Sequence, residues 1–488
     1  MRGELRVAHK AVSPVSMEDD MKDFTTEPAL LGLSWDEALE SATQGTASLH
    51  GNRLMAEVAF GQILSDGDRV PEDEGLPAEA DHLYGFTRDG WYIAVARPRS
   101  FSVQWHCPGG TRQAINGTSL LRSRREFDPD GMVDAAELQV AGFSQWLQDA
   151  PLQGESRYVD DRLKETLIRI DWQPDAGEPL FEDDVYRVAV SHELSRRGDF
   201  LDGVTVKHTG LLILSFKDPV SVSQAVHTSV SLLECVSFFM GSAAELEKLS
   251  MQIQGAESAV EYYAPLVFRG DEKVPSSWQM PFLRRRLTDD EAARMIGAWL
   301  EADDQLSLCL RICAQSLLGG RGGYLDAMFL AAARLMEALA SYTSASALSM
   351  PQAQYKRRRR TALGCLRDAG HDELACWLEK VFPGNRKGQN RMLEELLERY
   401  PLLSDFIIGD RASFCALHCA ARNQYTHLNA TVSIGGERLF WHTERVLLFC
   451  YGVCAVCLGL EEARVVELLK ESHYADFKLS RMREVLGE

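Results

Sequence analysis

Positive charge is scarce in this chain of 488 residues. Lysine and arginine together number 52, against 71 aspartates and glutamates, and the formal net charge is −19. Such an acidic chain has no overall positive field with which to coat nucleic acid, because the phosphate backbone is itself negative. Any nucleic-acid site must therefore be a local patch, and an enzyme with a confined site remains allowed.

Long apolar runs are also missing. The longest, 446–460, is interrupted by Gly452 and Gly459, and it is shorter than the roughly 20 residues that a membrane-spanning helix needs. We therefore expect a buried helix there and no membrane partner. The first 16 residues carry charge but no apolar stretch, so we expect no secretory leader.

The cysteines do not form a disulfide framework of short loops. The chain has eleven, and most of them are scattered through sequence with helical periodicity, which is typical of reduced thiols and predicts a cytoplasmic protein. Cys415, His418 and Cys419 stand at helical spacing, but structural zinc sites usually place their cysteines on loops. The chain also lacks a glycine-rich phosphate loop after a strand and a nucleophile elbow. We therefore expect no metal and no cofactor.

The hydrophobic period differs between the two halves of the chain. From about 50 to 220, runs rich in aromatic and β-branched residues alternate with Gly, Pro and Asp clusters, which predicts strands at 91–97, 101–106, 167–172, 185–190 and 211–216. After Pro219 the period indicates a helix over 221–240, with a strand over 260–268. From the capping box of Thr288 and Glu291 onward, almost only helices are predicted. The fold class is therefore α+β: an antiparallel sheet or sandwich followed by a helical bundle.

These patterns divide the chain into four segments. We assign them as a weakly patterned N-terminal extension at 1–50, a β-rich domain at 51–286, a helical connector at 287–320 and a helical domain at 321–488. The last boundary is placed at the glycine cluster 319–323, since such a cluster interrupts a helix.

One short stretch of the helical half concentrates polar chemistry. Arg422, Asn423 and His427 lie within six residues and are flanked by apolar, helix-forming sequence. Arginine and asparagine bind phosphate, and histidine moves a proton near neutral pH, which together suit cleavage of a phosphodiester without a metal. On a regular helix Asn423 and His427 share a face, whereas Arg422 points about 140° away from His427. A long arginine side chain, or a helix end between them, would bring the three together.

The spacing alone is weak support. With 12 histidines in the chain, chance produces roughly one basic residue at the required distance from a histidine. Arg187 and His192 have the same spacing, and Arg411 and His418 form a wider pair; we interpret both as coincidences. The alternative that Arg422 and His427 are surface residues of an amphipathic helix stays open.

The surroundings of the motif resemble a known family. Arg-Asn-x3-His at 422–427, late in a helical domain, resembles the motif of HEPN domains, and the helix at 325–339, with its Glu337-Ala-Leu run, resembles the first HEPN helix. The segment 138–147, the strand at 211–216 with the helix after it, and the connector helices resemble the N-terminal domain of the ApeA family. ApeA proteins are bacterial anti-phage factors with a C-terminal HEPN ribonuclease domain.

The resemblance implies abortive anti-phage defence by metal-independent RNA cleavage. His427 would be the general base on the ribose 2′-hydroxyl or the general acid on the leaving oxygen, and Arg422 would bind the scissile phosphate. Asn423 would orient the phosphate or the imidazole. HEPN sites form where two such domains meet, which implies a homodimer or a higher even oligomer. The resemblance also implies that a phage-derived molecule activates the protein.

Two further groups are assigned around this site. The strongest basic run would guide RNA through phosphate contacts, or else balance nearby acids on a solvated helix face; it consists of Lys356, Arg357, Arg358, Arg359 and Arg360. Arg334 and Glu337 lie three residues apart on one predicted helix, where they either line the site or pair with each other.

Two other functions stay open. A HEPN protein without catalysis would use Arg422 and His427 as phosphate ligands and act as an RNA- or nucleotide-binding sensor or scaffold. Alternatively, the β-rich domain carries the main activity and binds a carbohydrate or a peptide through aromatic residues such as Trp91 and Trp105, although core packing explains these as well.

Overall fold

The chain divides into two compact units. In the computed structural model, one unit comprises Met1–Ser277 with Leu283–Leu300, and the other comprises Trp278–Phe282 with Glu301–Glu488. The structure describes residues 4–7, 23–25, 29–40, 44–50, 53–58, 64, 80–106, 110–148, 152–159, 162–170, 178–199, 203–264, 274–318, 324–344, 348–381, 384–385, 387–427 and 434–487.

Antiparallel strands dominate the first unit. Its described strands are β1 (Glu4–Val7), β2 (Asp23–Thr25), β3 (Ala29–Gly32), β4 (Gln44–His50), β5 (Arg53–Val58), β6 (His82–Thr87), β7 (Tyr92–Ala96), β8 (Arg99–His106), β9 (Gly110–Gly117), β10 (Ser119–Ser123), β11 (Met132–Val140), β12 (Leu152–Val159), β13 (Arg162–Ile170), β14 (Glu178–Glu182), β15 (Tyr186–Asp199), β16 (Gly203–Ser221), β17 (Leu246–Ile253) and β18 (Val260–Tyr263).

Most of these strands belong to one hydrogen-bonded network. Its order is β14-β15-β16-β11-β17-β18-β10-β7-β6-β3-β4-β5-β9-β8, with β2 pairing β4, and a separate sheet has the order β1-β13-β12. Mainly aliphatic residues fill the buried face, because successive side chains point to opposite sides of a strand. Leu31, Leu49, Ile93, Ile115 and Leu120 form part of the resulting core.

Four helices accompany the strands of the first unit: α1 (Trp35–Glu40), α2 (Phe143–Leu147), α3 (Val222–Met240) and α4 (Asp289–Leu300). The helix predicted at 221–240 is confirmed as α3, and Ser221 caps it by accepting a hydrogen bond from the backbone of Gln224. The predicted capping box of α4 is also confirmed. Thr288 accepts from the backbone N–H of Glu291 at 3.1 Å, and the Glu291 carboxylate accepts from that of Thr288 at 2.9 Å.

Helices build the second unit. They are α5 (Asp304–Leu318), α6 (Leu325–Thr343), α7 (Gln352–Asp368), α8 (Asp372–Val381), α9 (Gln389–Arg399), α10 (Pro401–Leu403), α11 (Arg411–His427), α12 (Gly436–Cys457), α13 (Glu462–Glu471) and α14 (His473–Leu486), with a π-helical turn at Ser404–Ile408. By length and composition, α12 could cross a membrane, but 78% of its apolar window is buried inside the structure. It packs against α5, α6, α13 and α14 as a core helix.

The predicted α+β class is confirmed, and the four-segment division of the chain stays a prediction. Among the described residues of 1–50, β3 pairs β6 and β4 pairs β5 within the large network. Within 287–320, α4 belongs to the first unit and α5 to the second. The glycine cluster 319–323 lies outside the described residues.

Candidate active site

The helix α11 carries the predicted site and is anchored by its inner face. Phe414, Cys415, His418 and Ala421 recur at three- and four-residue steps and are buried, as the core-facing stripe of a helix should be. Ala421 packs with Phe329 of α6 in a core cluster that α12 also enters. The next residue, Arg422, therefore emerges at the edge of this interface.

Arg422 is held by a side chain of α6. Its Nε lies 2.7 Å from Oε1 of Glu337, and both side chains are about one-third exposed, at 31% and 32%. The same carboxylate oxygen accepts a hydrogen bond of 2.8 Å from Nε2 of Gln389, the first residue of α9. Three helices thus meet at the carboxylate of Glu337.

This arrangement fixes one edge of the guanidinium. The contact with Glu337 uses Nε, and each Nη group of an arginine carries two further N–H donors. A partly exposed ion pair contributes only about 0.2–1 kcal/mol, so an incoming phosphate can compete with the carboxylate or share the arginine with it. A guanidinium presents two Nη groups side by side, which matches two oxygens of a phosphate.

The rest of the motif lies on the last turn of α11. Asn423 is exposed, and His427 is the final residue of the helix; the side chain of His427 lies outside what the structure describes. The helix stays regular from Arg422 to His427, so no helix end separates them, and their directions remain about 140° apart. The backbone of a single chain therefore does not turn Arg422 and His427 towards one point.

Beneath Arg422, two histidines are buried together. His418 of α11 is 0% exposed and His442 of α12 is 1% exposed, with ring centroids 5.5 Å apart. None of their ring nitrogens has a hydrogen-bond partner among the described residues. Burial lowers the pKa of His418 to about 4, with a smaller contribution from the charge of Arg422. Burial, followed by His418 and nearby arginines, also depresses the pKa of His442.

Arg334 and Glu337 face different surroundings. Glu337 binds Arg422 rather than Arg334, so the two residues do not pair with each other. Arg334 instead lines a cleft together with residues of α5 and α12. A three-residue step turns a helix by about 60°, which is enough to separate the two neighbourhoods.

The basic run is placed on α7, which packs against α8. Arg359 donates to the backbone carbonyl of Glu379 at 2.8 Å. The other four cations are exposed and have no ion-pair partner in the part of the chain that the structure describes; they are Lys356, Arg357, Arg358 and Arg360. No hydrogen bond or ion pair joins α7 to Arg422 or Glu337 among the described residues. The run is thus a separate basic surface.

The two coincidental pairs and the aromatic residues have structural roles. Arg187 lies 3.6 Å from Glu182, and His192 stacks on His208. Arg411 pairs with Asp405 at 2.8 Å. Trp91 packs against the sheet core and under the guanidinium of Arg124. The side chain of Trp105 lies outside the described residues.

Potential metal ligands do not cluster in the described chain: no group of three or more His, Cys, Asp or Glu residues there could hold a metal ion. Sequence reasoning missed Gln389, whose only local feature is its position after Gly388 at a helix start. It also missed the burial of His418, although the apolar stripe around this histidine indicated it.

Comparison with known families agrees with these two units. The family model described as ApeA N-terminal domain 1 matches residues 123–299, which end with α4. The family model described as Apea-like HEPN matches residues 330–463, which include Glu337, Gln389 and the whole of α11. No curated protein and no solved structure matches the chain. The chain therefore belongs to the ApeA family, with an ApeA N-terminal domain followed by an Apea-like HEPN domain.

Proposed function

We propose that this protein is an anti-phage ribonuclease of the cytoplasm whose helical unit cleaves RNA without a metal. The observation that carries the proposal is the held guanidinium of Arg422. Glu337 contacts its Nε, and its two Nη groups would bind two oxygens of a phosphate. HEPN domains are commonly nuclease-like, and the matched region contains each of these residues.

The proposed reaction is an internal transfer at phosphorus. The ribose 2′-hydroxyl loses its proton to one imidazole and attacks the adjacent phosphate, while the 5′-oxygen of the next nucleotide leaves and takes a proton from a second imidazole. The products are a 2′,3′-cyclic phosphate and a 5′-hydroxyl. Arg422 would stabilise the charge that builds on the phosphate oxygens, and Asn423 would orient the phosphate or an imidazole. An imidazole with a pKa near 6.5 suits both proton transfers at neutral pH.

A second copy of the chain would complete this site. Because α11 is regular, Arg422 and His427 of one chain point in directions about 140° apart. Two copies of α11 facing each other would bring the arginine of one chain towards the histidine of the other and supply both an acid and a base. We therefore propose a homodimer or a higher even oligomer, which a phage-derived activator would bring into its active form.

The test is RNA cleavage by the purified chain in EDTA. We expect the parent to cut a single-stranded RNA with chelator present and to leave DNA of the same sequence intact, since DNA has no 2′-hydroxyl. His427→Ala should abolish cutting, whereas His227→Ala, at an exposed histidine of α3, should not change it. Activation would be supplied by lysate from phage-infected cells.

Two results would overturn the proposal. One is cleavage by His427→Ala at the parent's rate. The other is RNA binding without cleavage under every activating condition, and that result would favour the sensor or scaffold function, with Arg422 as a phosphate ligand.

A further inference from the structure

A cleft opens on the helical unit, and Arg334 in its wall is one turn of α6 away from Glu337. It has a volume of about 530 Å³ and lies between α5, α6 and α12. This volume is within the roughly 300–1,000 Å³ of small-molecule sites. The residues that matter for its chemistry are Ile312, Gln315, Ser316, Leu330, Arg334 and Leu447.

The walls of the cleft are mainly aliphatic, with a few polar groups. Arg334 is the one charged residue among those that line it, and it has no ion-pair partner in the described chain. Gln315 adds an amide that both donates and accepts hydrogen bonds, and Ser316 adds a hydroxyl. Aliphatic walls, a hydrogen-bonding edge and one cation together match a planar base joined to a phosphate. A fatty acid would use the cation and the walls but would leave the amide and the hydroxyl without a function.

The cleft adjoins the proposed phosphate site through α6. Arg334 lies one turn before Glu337, and residues at this spacing have Cβ atoms about 5–6 Å apart. Glu337 in turn holds Arg422. We therefore expect one RNA strand to contact both Arg334 and Arg422, since the residue that holds Arg422 is one helical turn from Arg334.

We infer that this cleft binds the nucleoside that flanks the scissile phosphate and makes cleavage depend on its base. The inference rests on the proposed RNA cleavage. Arg334 binds the adjacent phosphate, the aliphatic walls cover the base faces, and Gln315 and Ser316 contact the base edge. A base must leave its stack to enter the cleft, so unpaired RNA is the substrate class.

The first experiment measures binding and does not depend on cleavage. The full-length His427→Ala chain is titrated calorimetrically with AMP, CMP, GMP and UMP, with ribose 5-phosphate, and with decanoate. We expect at least one nucleotide to bind ten or more times more tightly than ribose 5-phosphate. Arg334→Ala should weaken that binding at least tenfold. Ala331→Trp, which fills the cleft wall, should abolish it, while Ala362→Trp on the exposed side of α7 should not.

The second experiment maps cut sites on a randomised single-stranded RNA. The activated parent should favour one base class next to the cut. Gln315→Leu keeps the size of the side chain but removes its amide, so we expect the base preference to fall at least fivefold while cutting continues. Arg334→Ala should raise KM more than it lowers kcat. Thermal unfolding of each variant shows whether it is folded.

The outcomes separate this inference from the proposed function. RNA cleavage without base preference and without nucleotide binding would overturn the inference and leave the ribonuclease standing. Nucleotide binding that depends on Arg334, without cleavage of any RNA, would overturn the ribonuclease and the substrate role of the cleft together. Decanoate binding more tightly than every nucleotide would also overturn the inference.

Discussion

The Arg422 site and the basic run on α7 both carry positive charge, yet they are built differently. Arg422 is one guanidinium fixed by Glu337, which Gln389 fixes in turn. The run on α7 is several exposed cations, most of them without a fixed partner among the described residues. Fixed geometry favours stabilisation of a transition state, whereas dense mobile charge favours attraction of a phosphate backbone. Only the Arg422 site is therefore suited to catalysis, whereas the run on α7 is suited to attracting RNA.

Removing the fixed guanidinium should have the largest effect. We expect Arg422→Ala to lower kcat by about 100- to 1,000-fold, because the charge on the phosphate oxygens would lose its main donor. Arg422→Lys should recover only part of the rate, since an ammonium lacks the paired Nη groups. Single-turnover cleavage measures both. A rate for Arg422→Ala close to the parent's would show that the fixed guanidinium does not stabilise the transition state.

Acid should weaken the core beneath Arg422 while the cations of α7 keep their charge. His418 has a folded-state pKa of about 4, against about 6.5 in the unfolded chain. The stability that depends on neutral His418 is therefore fully present above pH 6.5 and is lost as the pH falls towards 4. At pH 5 the loss attributable to His418 is about 2 kcal/mol, or roughly 30-fold in the unfolding constant.

Chemical unfolding between pH 7 and pH 5 tests this expectation. Titrating carboxylates contribute to the parent and to His418→Leu alike, so the difference between the two curves isolates the imidazole. The variant should lose less stability on acidification. Parallel curves would show that the histidine does not remain neutral in the folded core.

Neutralising part of α7 should weaken attraction without impairing chemistry. We expect the double variant Arg357→Gln with Arg358→Gln to raise KM about five- to tenfold at unchanged kcat, with a shallower dependence of kcat/KM on salt. The matched control replaces Arg464 and Arg481 by Gln; these arginines pair with Glu467 and Glu484. An equal change in both variants would mean that net charge, and not α7, attracts the RNA.

The smallest effect is expected at Gln389. Its hydrogen bond orients Glu337 and hence Arg422, and a typical hydrogen bond contributes about 1 kcal/mol, so Gln389→Ala should lower kcat about three- to fivefold with little change in KM. Gln389→Glu should lower kcat further, because a second carboxylate would face Glu337. The neighbouring Asn390→Ala is the control, since its amide binds Glu394 at 2.6 Å. An equal loss of kcat in Gln389→Ala and Asn390→Ala would show that Gln389 does not position Glu337.

Sequence reasoning succeeded where the information is local. The change from strand to helix periodicity, the capped start of α4, and the helix under the Arg-Asn-x3-His motif all follow from neighbouring residues. It did not find β3 and β4, because a strand of four residues such as β3, or one with few apolar residues such as β4, is recognised only from the strands that it pairs with. It also left open whether Arg334 and Glu337 pair with each other or contact other parts of the protein, since a spacing of three residues on one helix allows both.

By itself, the sequence determined the α+β class, the helical setting of Arg422, Asn423 and His427, and the concentration of basic residues at 356–360. Periodicity and residue chemistry suffice for these features because both act within a few turns of chain. The tertiary structure alone decided that Glu337 and Gln389 hold Arg422, that His418 is buried against His442, and that Arg334 faces a cleft. Each of these depends on helices distant in sequence packing at a particular rotation, and helical periodicity leaves that rotation open.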